Sequence, residues 1–150
     1  MRRVLTSRIV WATVAMCSGL SSIASESGPW AFSAPSTEGY SIDLVSAEPA
    51  PGTPLADGST VTFRVSVKYT LKIANSGTII LIFQDETDRD AKDNTPQVGK
   101  RVEAPYGTQM LTDTLIVPHA NEVLMFITFV PNGVGGVTGA ITIRYPVVGK

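Results

Sequence analysis

The clearest pattern in this chain is a strict alternation of apolar and polar residues over residues 61–73. The apolar residues of this segment occupy every second position: Val61, Phe63, Val65, Val67, Tyr69, Leu71 and Ile73. Successive side chains of a β-strand point to opposite faces, so this period of two predicts a strand with one buried and one wetted face. Because it is much longer than the usual strand of about five or six residues, we expect a bulge or bend near its middle.

Further short strands are predicted on both sides of this segment, separated by turn residues. Their patterns place them at residues 41–47, 78–83, 98–103, 109–117, 123–130 and 140–148. Residues 78–83 are apolar at almost every position, which predicts a strand inside a sheet that is covered on both faces. Pro146 cannot donate to a strand ladder, so the last strand is expected at a sheet edge or ending there. The Pro-rich segment 48–58 cannot be a central strand, and we expect only Leu55 from it to reach the core.

Seven short strands in about 110 residues, with no helical period, are typical of an immunoglobulin-like β-sandwich. The strands lack the paired cysteines and core tryptophan of antibody domains. The chain therefore resembles the cysteine-free immunoglobulin-like and fibronectin-III-like domains of bacterial exported proteins. The resemblance covers residues 40–148 and implies an all-β antiparallel sandwich of about seven strands, in a domain at residues 40–150. A jelly roll or small barrel is the alternative architecture.

The N-terminus has the pattern of a secretory signal peptide. Three arginines without an acidic residue precede an apolar run at residues 9–16 and a small-residue tract at residues 17–25. This order predicts a signal peptide at residues 1–24, cleaved after Ala24, and a secreted or periplasmic protein. The apolar run is shorter than the ~20 residues that a membrane span needs. Lipidation at Cys17, which would make it the first mature residue, is the alternative.

Cleavage changes the charge of the chain. It removes Arg2, Arg3 and Arg8, leaving 9 of the 12 basic residues against 13 acidic residues, a net charge of about −4. A chain of this sign without a basic run has no electrostatic footprint for nucleic acid. No later stretch reaches the ~20 apolar residues of a membrane span. The expected partner is an unidentified protein.

Residues 25–39 are rich in Ser, Pro and Gly and are predicted to form a flexible arm. Trp30 and Phe32 are expected to tuck onto the sandwich and tie this arm down, because large exposed aromatics are usually avoided. Carbohydrate-binding sandwiches use exposed aromatic platforms, and the aromatics that could form one here are Trp30, Phe32 and Tyr106.

No catalytic residue is assigned, and the protein is predicted not to be an enzyme. His119 is the one histidine and follows Pro118 in a predicted turn. A nucleophile needs a positioned base, and no Gly-x-Ser-x-Gly motif accompanies this histidine. Met110 and Met125 lie in apolar strands and are expected to be core residues rather than metal ligands. No cofactor is predicted apart from calcium.

The sharpest local signal is a run of five carboxylates within nine residues: Asp85, Glu86, Asp88, Asp90 and Asp93. Calcium prefers several oxygen ligands that converge from one loop. The spacing does not match an EF-hand, and a solvated loop is the default interpretation. If calcium binds, the expected ligands are Asp85, Asp88, Asp90 and Asp93.

A glycine-rich segment, Gly133, Val134, Gly135 and Gly136, is the candidate partner loop. It is similar to the Gly-x-Gly-Gly loop of the chagasin-type inhibitors of cysteine proteases, which are immunoglobulin-like. Residues 75–78 match a second inhibitor loop poorly, and residues 144–146 depart from the third.

Together these patterns predict an exported, non-enzymatic β-sandwich that acts as a protein-interaction or structural module at the cell envelope. Its function would lie in loops or at a strand edge that an extended partner can join. A chagasin-like protease inhibitor and a calcium-binding surface module are the alternatives.

Overall fold

The computed structural model describes residues 30–34, 36–86 and 98–149, and these contain nine β-strands and no helix. The strands are β1 (Ala31–Ser33), β2 (Tyr40–Glu48), β3 (Leu55–Ala56), β4 (Thr60–Leu71), β5 (Ser76–Asp85), β6 (Val98–Glu103), β7 (Tyr106–Ile116), β8 (Glu122–Pro131) and β9 (Gly139–Val148). The predicted signal peptide, residues 1–24 with Cys17, lies outside the described residues.

The described strands form two sheets. One sheet has the order β2-β4-β7, and the other has the order β1-β9-β8-β5-β6, with β3 beside β9. Apart from the short parallel pair of β3 and β9, every pairing is antiparallel. Of the seven longer strands, the first, second and fifth share one sheet, and the third, fourth, sixth and seventh share the other. This is the connectivity of an immunoglobulin-like sandwich whose fourth strand has joined the second sheet. The predicted fold class is confirmed.

The alternation along β4 places its apolar side chains between the two sheets. Phe63, Val67 and Leu71 are completely buried, whereas Arg64 and Lys68 lie on the outer face. The ring of Phe63 packs against two rings of the opposite sheet, with centroid distances of 4.8 Å to Phe83 and 5.2 Å to Tyr145. Aromatic pairs of this kind contribute ~0.5–1.5 kcal/mol beyond the burial of their area.

Two expectations about this segment are wrong. Ile73 fits the alternation but lies beyond the end of β4, and 72% of its surface is exposed. The expected bulge is not in β4, which pairs with β7 without interruption. The irregularity is in β2, where the register passes over Val45. Because β2 is an edge strand, it can take the extra residue without disturbing the central ladder.

The strand β5 is covered on one face rather than two. It lies inside its sheet between β6 and β8, and its inward residues Ile79, Leu81 and Phe83 are buried. The outward residues Ile80 and Ile82 are only half-buried. Their shielding comes from neighbours in the same sheet, since they lie opposite Thr128 and Phe126 of β8.

The strand β9 is not at an edge, contrary to the expectation from Pro146. It pairs with β8 on one side and with β1 and β3 on the other. The backbone N–H of Arg144 points toward β1 and donates to the carbonyl of Trp30 at 2.8 Å. Pro146, two residues further along, directs its backbone nitrogen to the same side as Arg144. This nitrogen carries no hydrogen, and it faces the gap between β1 and β3. Leu55, in β3, is buried as expected.

The strand β1 falls within the predicted arm, residues 25–39, and its backbone pairing attaches the arm to β9. Ala31 is the inward-facing residue, so the neighbouring aromatic rings point outward. Trp30 lies over Gly52, where an added Cβ would be 2.6 Å from the indole. Phe32 stays half exposed, with the Arg144 guanidinium 5.7 Å from the ring centroid. The expectation that both rings tuck onto the sandwich is therefore wrong for Phe32.

Candidate functional site

Four segments meet at one end of the sandwich, which we call the loop end. They are the lead into β2 and the β4–β5, β6–β7 and β8–β9 connections, at residues 36–39, 72–75, 104–105 and 132–138. The strand register brings them together. Tyr40 lies opposite Leu71, and the first residues of β5 lie opposite the last residues of both β6 and β8.

The base of the 132–138 loop is held by hydrogen bonds to three neighbouring segments. Asn132 donates from its backbone N–H to the Ser76 carbonyl at 2.8 Å and from Nδ2 to Ser76 Oγ at 2.7 Å. The backbone N–H of Thr138 donates to the Phe129 carbonyl at 2.9 Å, and the N–H of Thr37 donates to the Thr138 carbonyl at 3.2 Å. These bonds fix both ends of the loop on the sheet.

The glycines of the predicted partner loop differ in what the fold requires of them. Gly133 and Gly136 have φ of 78° and 89°, the left-handed region that favours glycine. Gly135 is outside that region, and an added Cβ there would meet no atom within 4 Å. Val134 packs partly against the core, whereas Val137 is 56% exposed. The middle of the 132–138 loop is therefore exposed and partly apolar.

The 72–75 connection supplies the other exposed part of the loop end. Lys72 N–H donates to the Gly39 carbonyl at 2.9 Å, and Asn75 accepts from the Ala104 N–H at 3.0 Å. Between these anchored residues, Ile73 projects into solvent beside Gly39, where an added Cβ would be 3.0 Å from Ile73 Cδ1. The loop end thus presents two aliphatic side chains, Ile73 and Val137, on a hydrogen-bonded backbone.

The three inhibitor-like segments do not come together. Gly133–Gly136 and Asn75–Thr78 both lie at the loop end, whereas residues 144–146 lie in β9 near its opposite end. Tyr145 is completely buried, and its hydroxyl donates to the Pro49 carbonyl at 3.0 Å. Burial raises the pKa of this phenol well above its usual value. This side chain is part of the core and not of an exposed loop.

The three candidate platform aromatics do not share one surface. Trp30 and Phe32 flank the first residue of β1 at the edge of the larger sheet. Tyr106 begins β7 in the smaller sheet, where it is exposed opposite Thr70. Met110, further along β7, is also exposed, so its assignment to the core is wrong. Its neighbour Leu111 takes the inward position instead.

At the end opposite the loop end, His119 has a carboxylate partner that the sequence did not reveal. Its Nδ1 lies 2.6 Å from Asp57 Oδ2, joining the turn after β3 to the β7–β8 connection. The imidazole side chain is 75% exposed. Because 62 residues separate the two groups, no local motif signals the pair.

Glu86 is one of the acidic-loop residues, and the structure gives it a structural role. Its carboxylate accepts from Asn121 through the backbone N–H at 3.0 Å and through Nδ2 at 2.8 Å. The N–H of Glu122 donates to it at 3.5 Å. The Asn121 backbone bond is the main cause of a pKa lowered from its usual 4.5. Glu86 therefore ties the end of β5 to the start of β8.

The calcium prediction remains a prediction. Asp85 is the last residue of β5, whereas Asp88, Asp90 and Asp93 lie outside the described residues. In the part of the chain that the structure describes, no three His, Cys, Asp or Glu side chains are grouped so that they could hold a metal ion. The described residues also contain no helix with the length and hydropathy of a membrane span.

Comparison with known proteins gives a fold likeness but no family. No family model matches the chain, and no curated protein matches its sequence. One similar solved structure is the crystal structure of the CARDB domain of a Pyrococcus furiosus protein in complex with di-metal ions. The two chains are 12% identical, with a TM-score of 0.49, over 77% of this chain and 94% of that chain.

Proposed function

We propose that this chain is an exported, non-enzymatic immunoglobulin-like module that contacts another protein of the cell envelope through its loop end. The observation that carries this proposal is the combination of an anchored backbone with exposed aliphatic side chains. Ile73 and Val137 are both more than half exposed, and hydrogen bonds hold the residues beside them. Apolar side chains on a fixed backbone lose little conformational entropy on binding, which favours their use as contact residues.

Export enters the proposal through the signal-peptide pattern of residues 1–24. The intact mass of the protein recovered from the cell envelope or medium tests it. A chain that begins at Ser25 is expected. A mass corresponding to a lipidated Cys17 would place the module on a membrane surface, and a chain that keeps its first 24 residues would contradict export.

Site-specific photo-crosslinking in the native cells tests the loop end as a contact surface. A benzoylphenylalanine at position 135 or 137 is expected to give one discrete crosslinked species. Gly135 suits this purpose because its surroundings are open. The matched control is Arg64, an exposed residue on the outer face of β4. Equal labelling from position 64, or no species from either loop position, would contradict the proposal.

Inhibition of a panel of cysteine proteases by the purified protein tests the chagasin-like alternative. Because residues 144–146 lie far from the loop end, we expect no inhibition at micromolar concentration. Inhibition that is lost on substitution of Gly135 would favour the inhibitor over the envelope module.

A further inference from the structure

The free edges of the two sheets are protected to different degrees. A free edge exposes unpaired backbone groups and is a template for pairing with another chain. Among the described residues, the longer strands β2, β6 and β7 and the short strands β1 and β3, of three and two residues, each have one edge without a paired strand. The bulge at Val45 interrupts β2, and Lys100 and Arg101 place charge on β6. The strand β7 is eleven residues long and has neither proline nor bulge.

The ladder with β4 identifies which groups of β7 face solvent. Leu71 N–H donates to the Pro105 carbonyl at 2.7 Å, and Val117 N–H donates to the Ser59 carbonyl at 2.8 Å. At both ends of the ladder, the odd-numbered residues of the β7 segment therefore form the hydrogen bonds to β4. Because the N–H and C=O of one residue point to the same side and alternate along a strand, the even-numbered residues direct theirs to the free edge. These residues are Tyr106, Thr108, Met110, Thr112, Thr114 and Ile116.

Two side chains of β7 form hydrogen bonds with backbone groups of that free edge. Gln109 Nε2 donates to the Met110 carbonyl at 2.8 Å, and the Thr114 N–H donates to Asp113 Oδ1 at 2.8 Å. Both side chains start from half-buried, inward-facing positions, in the same row as the buried Leu111. A charged residue that points inward from an edge strand is a recognised protection against edge-to-edge pairing.

We infer that Gln109 and Asp113 close the free edge of β7 against strand addition by a second copy of this chain. The hydrogen bonds that two paired β7 strands would form indicate that a second copy of this chain is the strand that the edge excludes. If two β7 strands pair antiparallel about Thr112, Met110 lies opposite Thr114 of the second copy. Opposed residues of this kind exchange both backbone hydrogen bonds. The Met110 carbonyl and the Thr114 N–H are then each other's partners, and these are the two groups that the side chains already occupy.

The same register adds a repulsive contact. Asp113 of each copy would lie diagonally across the new ladder from its counterpart, on the same face of the sheet. Diagonal neighbours of this kind are ~7–8 Å apart, close enough for two carboxylates to repel each other. The pairing is therefore opposed both by the occupied hydrogen-bonding groups and by charge. This inference does not depend on the proposed role of the loop end.

Replacing both side chains with apolar ones that cannot form these bonds tests the inference. The double variant Gln109→Met with Asp113→Leu is expected to dimerise with a Kd at least tenfold lower than that of the wild type, measured by sedimentation velocity. Addition of Thr112→Pro, which deletes the central edge N–H, is expected to restore the monomer. A double variant that stays as monomeric as the wild type, or whose dimer tolerates Thr112→Pro, overturns the inference.

Two controls separate edge pairing from general stickiness and from charge. The pair Thr62→Leu with Lys68→Met adds apolar side chains to the outer face of the central strand β4 and is expected to stay monomeric. Asp113→Asn keeps an oxygen that can accept from Thr114 and removes only the charge, so its Kd is expected to stay well above that of the double variant. A Kd as low as that of the double variant overturns the role of the occupied hydrogen-bonding groups. Equal dimerisation of the β4 control overturns the inference. If the double variant does not fold, Gln109→Met alone is used, with an expected decrease in Kd of at least threefold, and an unchanged Kd overturns the inference.

Discussion

Replacing Tyr145 with phenylalanine removes one hydroxyl from a buried ring and leaves every ring contact in place. The hydroxyl donates to the Pro49 carbonyl at 3.0 Å, and the ring is completely buried. A buried group that loses its partner costs ~1–3 kcal/mol. We therefore expect Tyr145→Phe to lower the free energy of unfolding by ~1–2 kcal/mol, and the Tm by roughly 4–8 °C for a domain of this size.

Tyr40 lies in the same core, but its hydroxyl, unlike that of Tyr145, has no hydrogen-bond partner among the described residues. Tyr40 is also buried. A hydroxyl buried in this way costs ~1–3 kcal/mol by protein mutational data. Tyr40→Phe is therefore expected to leave the free energy of unfolding unchanged or to raise it by about 1 kcal/mol. The two variants delete the same atom, so their difference reports the hydrogen bond.

Urea unfolding of the wild type and both variants measures these changes. Trp30, the one tryptophan of the predicted mature chain, provides the fluorescence signal, and circular dichroism provides a second probe. Equal m-values show that the changes arise from stability and not from compactness. If Tyr40→Phe destabilises the protein as much as Tyr145→Phe does, the described hydrogen-bonding pattern of the core is refuted.

The raised pKa of Tyr145 predicts how the stability difference between the wild type and Tyr145→Phe changes at alkaline pH. Burial raises this pKa above the usual 10.0, so the folded state holds its proton at pH values where the unfolded chain releases it. Stability from this group is complete below pH 10 and falls as the pH rises toward the folded-state pKa. The wild type is therefore expected to lose stability above pH 10 more steeply than Tyr145→Phe. Parallel curves for the two proteins would contradict this.

Four further substitutions test other contacts. Glu86→Gln is expected to lower the Tm at pH 7. Because the folded-state pKa is depressed below 4.5, the difference from the wild type should shrink as the pH falls through that range. Gly77→Ala places a Cβ 2.9 Å from the Phe129 ring and is expected to cost ~1–3 kcal/mol in urea unfolding, whereas Gly135→Ala should cost almost nothing. Phe63→Ala removes the centre of the inter-sheet aromatic cluster, with an expected loss of ~3–5 kcal/mol by the same measurement.

The parts of the fold that were predictable from sequence are those that a period of two encodes directly. The alternation through β4 identified its inward face correctly up to Leu71. It failed at Ile73, because a periodic pattern does not show where the chain leaves the sheet. The pattern of apolar and polar residues in β7 did not show which of its faces points inward, because Met110 and Leu111 are adjacent and both apolar. The ladder with β4 decides which of the two faces inward, and that pairing is a long-range contact.

The chemistry of the surface was less predictable for a related reason. Glu86 is one carboxylate in an acidic run, yet its partners lie 35 and 36 residues away along the chain. The exposed state of Val137 and the open surroundings of Gly135 depend on how the loop sits on neighbouring strands. The glycine-rich pattern predicted a loop but did not show which glycines the backbone needs.

The pairing of β1 with β9 has a consequence for when the protein can become native. Ala31 lies beside Ile143, so the first strand cannot dock until the last has left the ribosome. Topologies with such distant contacts fold in roughly milliseconds to seconds, far more slowly than helical bundles. The native sandwich would thus be incomplete until synthesis ends, and a chain that carries the proposed signal could meet a secretion channel before it has finished folding.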